Sequence, residues 1–183
     1  MLQEILLSIV AAGSHASQAG LPKLIHRAAQ PYVSIRSTET LQGMATVFPR
    51  LMPKLMAWAA ANHVKPSGPE FIRFNVIDMA KGMEIELGFP VTATVRGSGE
   101  VHAGAFPAGR YVFMPFTGNY RDLVGANATL QQWAAKKGIK WKVKSSPKGD
   151  VWAGRMEFYL TDPGKEPDPR KWKSEIYYLT LNK

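Results

Sequence analysis

The 183-residue sequence contains no cysteine. That excludes disulfides, thiolate metal sites and thiol nucleophiles together, and it suits a reducing cytoplasm, which is the expected location. Histidine is scarce and dispersed: His15, His26, His63 and His102 lack the short spacings that metal ligands need, so no metal is expected. No Gly-x-Ser-x-Gly elbow occurs, which disfavours serine hydrolase chemistry. Gly97-Ser98-Gly99 has neither the length nor the context of a phosphate loop or dinucleotide fingerprint, and no cofactor is expected. Long apolar runs are missing too. Ile5 to Ala12 is eight residues, far short of the roughly 20 that span a bilayer. Glu4 stands where a signal peptide carries basic residues. We read residues 1–22 as an apolar N-terminal segment, either a short helix packed on the domain or a partner chain, or a cloning remnant. No membrane association is expected.

Acidic residues are in deficit, 14 against 23 Lys and Arg, for a formal net charge of +9. Much of the excess lies in Lys136, Lys137, Lys140, Lys142, Lys144 and Lys148, around one helix end and the strand after it. Lysines late in a helix suit its dipole, and a solvated face explains the rest. No DNA-reading motif accompanies them, so nucleic acid is disfavoured as a partner.

What is present is a message written twice. A content of 45% hydrophobic and 20% charged residues is that of one globular domain. Tyr32-Val33 leads into a helical run ending at Trp58-Ala59-Ala60, and Tyr111-Val112 into another ending at Trp133-Ala134-Ala135. Two extended segments follow each helix: 70–78 and 83–95 in the first copy, 151–161 and 174–181 in the second. Phe74 aligns with Phe158, Asp78 with Asp162, and Glu86 with Glu175. The fold class expected is α+β: a pseudo-two-fold duplication of a strand–helix–strand–strand unit over 23–183, with halves of about 23–96 and 97–183. The antiparallel sheets would form a squashed barrel with a central cleft. Pro49 and Pro53 interrupt the first helical run, predicting a kink or a late start. Gly138 is the expected C-cap of the second helix. Pro163, Pro167 and Pro169 pin a long connection of the kind that walls a site.

Strand alternation puts Glu175, Tyr177 and Leu179 on one face, and Glu157 and Tyr159 on one face of the strand before. If these faces line a cleft, two carboxylates and two phenols converge, and burial raises a carboxyl pKa unless a cation arrives. The plainer readings are a strand glutamate paired with a lysine, and an ion pair between Glu157 and Arg155 or Arg73. The other ring-bearing candidates include Phe113 and Tyr120. Tyr111, Trp152 and Trp172 stand out, each beside glycine, proline or charged residues. A cation over such rings gains about 0.5–2 kcal/mol per contact.

Five segments, in order, carry a family resemblance: Phe106-Pro107-Ala108-Gly109-Arg110-Tyr111, Thr117-Gly118-Asn119-Tyr120, the Trp133 helix, Glu157 to Pro163, and Trp172 to Tyr177. Together they resemble the GyrI-like small-molecule-binding domains, the effector-binding domains of AraC- and MerR-type regulators, from about Lys23 to Leu181. The resemblance implies a two-fold barrel with a ligand cleft. It also implies a buried glutamate near the last strand, matching Glu175, that faces lipophilic cations among aromatic rings. No helix-turn-helix motif is visible, so a stand-alone binder of hydrophobic, cationic or aromatic compounds is expected. Glu175, Tyr177, Tyr111 and Trp172 would lead its site, joined by Tyr159, Glu157, Trp152, Phe113 and Tyr120. Some stand-alone members resemble hydrolases of strained cyclopropane-type compounds. On that alternative Glu157 and Glu175 would be catalytic, dividing acid and base work. A protein-binding inhibitor acting through the lysine face is the third alternative. The sequence leaves monomer and homodimer both open.

Overall fold

In Tyr32-Val33-Ser34-Ile35, successive side chains must point to opposite sides of a strand, and here both sides are buried. The sheet built from such strands therefore needs cover on two faces, and it gets two different covers. In the computed structural model, which describes residues 17–78 and 80–181, both helices pack on one face. A separate aromatic cluster fills the other. The apolar run 5–12 lies outside the described residues.

The elements are β1 (Gln18–Ala19), β2 (Lys23–Arg27), β3 (Gln30–Glu39), α1 (Met44–Ala61), β4 (Glu70–Asp78) and β5 (Gly82–Pro90). They continue as β6 (Val101–Phe106), β7 (Gly109–Thr117), α2 (Leu123–Lys136), β8 (Val143–Ser146), β9 (Gly149–Trp152), β10 (Arg155–Tyr159) and β11 (Lys173–Leu179). The central order β7-β11-β10-β4-β5-β3 is a palindrome about the β10–β4 pair, with every neighbour antiparallel. Each half contributes its first strand to the outside and its second to the axis. The leading strands cross over: β2 precedes β3 but pairs with β7, and β6 precedes β7 but pairs with β3. The duplicated α+β architecture is thus present as a curled antiparallel sheet forming a half-barrel.

Several boundaries differ from the sequence reading. The stretch ahead of the first helix holds two strands, β2 and β3, because Ala28-Ala29 carries the chain from one sheet edge to the other. Gln18–Ala19, inside the expected N-terminal helix or remnant, is an edge strand on β7. The extended segment expected at 151–161 is divided between β9, which forms a small hairpin with β8, and a shorter β10. Gly138 does close α2, at φ +66.

Helix α1 runs unbroken through both prolines. Thr40 organises the turn before it by accepting the Gly43 N–H (3.1 Å), and the first helical residue is Met44. Val47, Leu51, Leu55 and Ala59 form the buried stripe against the sheet. Met44, Phe48, Met52 and Met56 form the neighbouring stripe, with Ala45, Pro49 and Pro53 beside it. Both prolines are exposed and face the cleft beside α1, away from the buried stripe.

Gly88 in β5 shows how closely the opposite face is packed. A Cβ there would fall 2.1 Å from the Val33 carbonyl oxygen and 2.8 Å from Cζ of Phe71. Gly88→Ala should destabilise the fold by about 3 kcal/mol or more, the upper range for overpacking. Urea unfolding checks it; an unchanged midpoint would mean that Phe71 does not lie over this strand.

Candidate functional site

Between α1, α2 and the helix-bearing face of the sheet lies a cleft of about 1490 Å³. Its α1 wall is the methionine and Phe48 stripe, its α2 wall Leu123, Val124, Asn127, Ala128 and Gln131, and its floor β4 and β10. The proline-bearing connection contributes Pro163 and Pro169, as its length suggested. Four methionines on these walls (Met44, Met52, Met56 and Met83) give an apolar lining that can change shape.

The floor carries one fully enclosed acid. Glu157 is 5% exposed. Its Oε1 accepts from Asn127 Nδ2 at 2.6 Å and its Oε2 from the Tyr159 hydroxyl at 2.8 Å. The network continues as Tyr178 donates to Asn127 Oδ1 (2.7 Å), which joins α2 to β11. Burial pushes the Glu157 carboxyl above its ordinary value of 4.5, against the opposing pull of Asn127, Tyr159 and the Arg155 charge. Rings run outward from this acid: Tyr159 meets Phe48 at 4.8 Å and Tyr120 at 4.9 Å edge to face, and Tyr120 meets Trp172 at 4.8 Å with the rings tilted. Tyr120 and Trp172 are fixed by hydrogen bonds to the Thr161 and Glu166 carbonyls.

Of the sequence candidates, Glu157, Tyr159, Trp152, Trp172 and Tyr120 line this cleft. Glu175, Tyr177, Tyr111 and Phe113 do not; they lie on the opposite face of the sheet. Register is the reason. Glu157 pairs with Ile176, so the β10 face holding Glu157 continues onto Ser174, Ile176 and Tyr178, and Glu175 points away. The two glutamates expected to converge are separated by the sheet. Glu175 instead accepts from Tyr177 at 2.6 Å, where the chain's own Arg27 sits 4.3 Å from the Tyr177 ring centroid and 5.1 Å from that of Phe158. Tyr111 donates to the Pro107 carbonyl (2.7 Å), and burial pushes its hydroxyl up to about 12.

The aligned pair Glu86 and Glu175 does share this opposite face. Glu86 likewise accepts from a tyrosine, Tyr32, at 2.6 Å. Burial pushes Glu86 up, but Tyr32, Arg73 and Arg36 outweigh it and hold the carboxyl below its ordinary range. Phe74 and Phe158 are on different faces, so that alignment is one residue out of phase: Phe158 lies across from Phe71. Asn127 and Tyr178 were missed altogether. A lone amide inside the apolar stripe Leu123, Ala126, Leu130, Ala134 was the signal for the first.

The six clustered lysines are exposed, and Lys148 reaches Glu84 at 3.7 Å, as a solvated face would. Among the described residues no helix is long and apolar enough to cross a membrane.

An α+β half-barrel with a large apolar cleft and an enclosed acid on its floor defines a small-molecule-binding domain. Residues 22–178 match the family model for the GyrI-like small molecule binding domain, and the chain belongs to that family. No curated protein matches it in sequence. Its fold is similar to that of the EcmrR C-terminal domain, at 16% identity and a TM-score of 0.66, over 92% of this chain and 99% of that one. In the EcmrR–DNA complex the similarity has a TM-score of 0.71 at 17% identity and covers 90% of this chain; the chain spans 57% of the length of that EcmrR chain. SAV2435 bound to tetraphenylphosphonium matches with a TM-score of 0.56 at 10% identity, over 88% of this chain and 94% of that one.

Proposed function

We propose that this domain binds hydrophobic cationic or aromatic compounds in the cleft between α1 and α2, with Glu157 as the electrostatic anchor. The observation that carries the reading is a single enclosed carboxylate, among the described residues, on the floor of a largely apolar, ring-lined cavity. A desolvated acid gains a great deal when a cation takes the place of its lost water, and the rings add cation–π contacts. The tetraphenylphosphonium held by SAV2435 is a ligand of this type and a suitable probe. A domain of this kind could serve as the sensing module of a cytoplasmic regulator, as the likeness to the EcmrR C-terminal domain suggests.

The hydrolytic alternative required two acids on one substrate. Its pair, Glu157 and Glu175, stands on opposite faces of the sheet, which favours binding over turnover.

Tetraphenylphosphonium titration, followed by tryptophan fluorescence, tests the reading because Trp152 and Trp172 line the cleft. Saturable quenching is expected. Ala128→Arg, at an exposed position on the α2 wall, should weaken it at least tenfold by filling the cleft with a competing cation. Equal affinity in that variant would count against the cleft as the site.

A further inference from the structure

Glu157 has a neighbour of opposite character on the same strand face. Arg155 lies two residues away on β10, also lining the cleft, and among the described residues it forms no ion pair. Its guanidinium is held by rings instead: 4.8 Å from the Tyr178 centroid, 5.1 Å from Trp152 and 5.3 Å from Phe74. Two buried donors in this stack have no partner among the described residues, Nε of Arg155 and Nε1 of Trp152. Trp152 is 7% exposed, so its indole N–H is enclosed almost as fully as the Glu157 carboxylate.

Buried donors are rarely left unpaired, because each has given up water without replacement. Here both belong to one stacked pair in the cleft, and one of them is on a guanidinium whose charge acts on Glu157 without meeting it in an ion pair. A ligand that offered only a positive charge would satisfy Glu157 and leave both donors orphaned beside an opposing charge.

Building on the binding role of the cleft, we propose that its ligands are amphoteric: an apolar or aromatic body with a cation for Glu157 and a carboxylate or carbonyl oxygen for Arg155 and Trp152. Same-face neighbours on a strand are spaced about 7 Å apart, which sets the scale of separation between the two ligand groups. The pairing is also a filter. Simple lipophilic cations enter but pay for the Arg155 charge, while zwitterions of the right length meet both ends.

Two phosphonium probes differing only at the tail isolate the effect: (4-carboxybutyl)triphenylphosphonium, ionised at neutral pH, and butyltriphenylphosphonium. The wild-type protein should bind the carboxylate-bearing probe at least tenfold more tightly. In Trp152→Phe, which keeps a ring but loses the donor, the ratio of the two affinities should fall. In Arg155→Met it should fall to about one or reverse, with the butyl probe gaining affinity as the opposing charge is removed. Equal affinity of the two probes for the wild-type protein would overturn this inference and leave the cation site standing. Binding of the butyl probe alone would overturn it likewise. Binding of neither would overturn the cation site and this inference with it.

Discussion

Glu157→Gln should weaken tetraphenylphosphonium binding by about 10- to 100-fold, the size expected for losing one partly desolvated charge pair. It should at the same time stabilise the unliganded protein at neutral pH. The amide is nearly isosteric and can keep a hydrogen bond to the Asn127–Tyr159 pair, but it carries no buried charge to penalise. Glu175→Gln should leave the affinity within about twofold of wild type, a difference of no more than ~0.4 kcal/mol, because Glu175 lies on the far side of the sheet. Isothermal titration with the two variants side by side reads both effects. A large loss in Glu175→Gln with none in Glu157→Gln would reverse the assignment.

The pH dependence follows from the same carboxyl. Its folded-state pKa lies above 4.5, so between that value and the raised one the folded protein holds a proton that the unfolded chain has released. This contribution to stability is fully present below pH 4.5 and is lost as pH rises through the folded pKa. Cation binding runs the other way, because tetraphenylphosphonium requires the ionised form. Below the raised pKa, affinity should fall about tenfold per pH unit, and binding should release up to one proton. In Glu157→Gln the slope should vanish. Titrations in two buffers of different ionisation enthalpy measure the proton directly. A pH-independent affinity in the wild-type protein would show that Glu157 is already ionised when empty.

The particular strands show what the sequence could and could not disclose. Alternation within β10 correctly grouped Glu157 with Tyr159, and alternation within β11 grouped Glu175 with Tyr177. Which group shares a face with the other is decided by the register between the strands, and a shift of one residue exchanges every side chain. The duplication, both helices and the strand-to-helix order were legible because period-2 and period-3.6 patterns are local. The crossing of β2 and β6 into the opposite halves was not, since it depends on contacts far apart in the chain. Trp152 and Trp172, singled out by their neighbours, and Tyr159, by its alternation with Glu157, do lie along the cleft. Asn127 was not singled out, because an amide in a helix usually means a solvated position, and only the fold sets it against Glu157.

The most direct test is a crystal structure with bound tetraphenylarsonium, whose arsenic gives an anomalous peak at the centre of the cation. The account predicts one peak between α1 and α2, on the face of the sheet that carries Glu157, with phenyl groups among Phe48, Tyr159 and Trp152. A peak on the opposite face beside Glu175 and Tyr177, or no peak at saturating ligand, would contradict it.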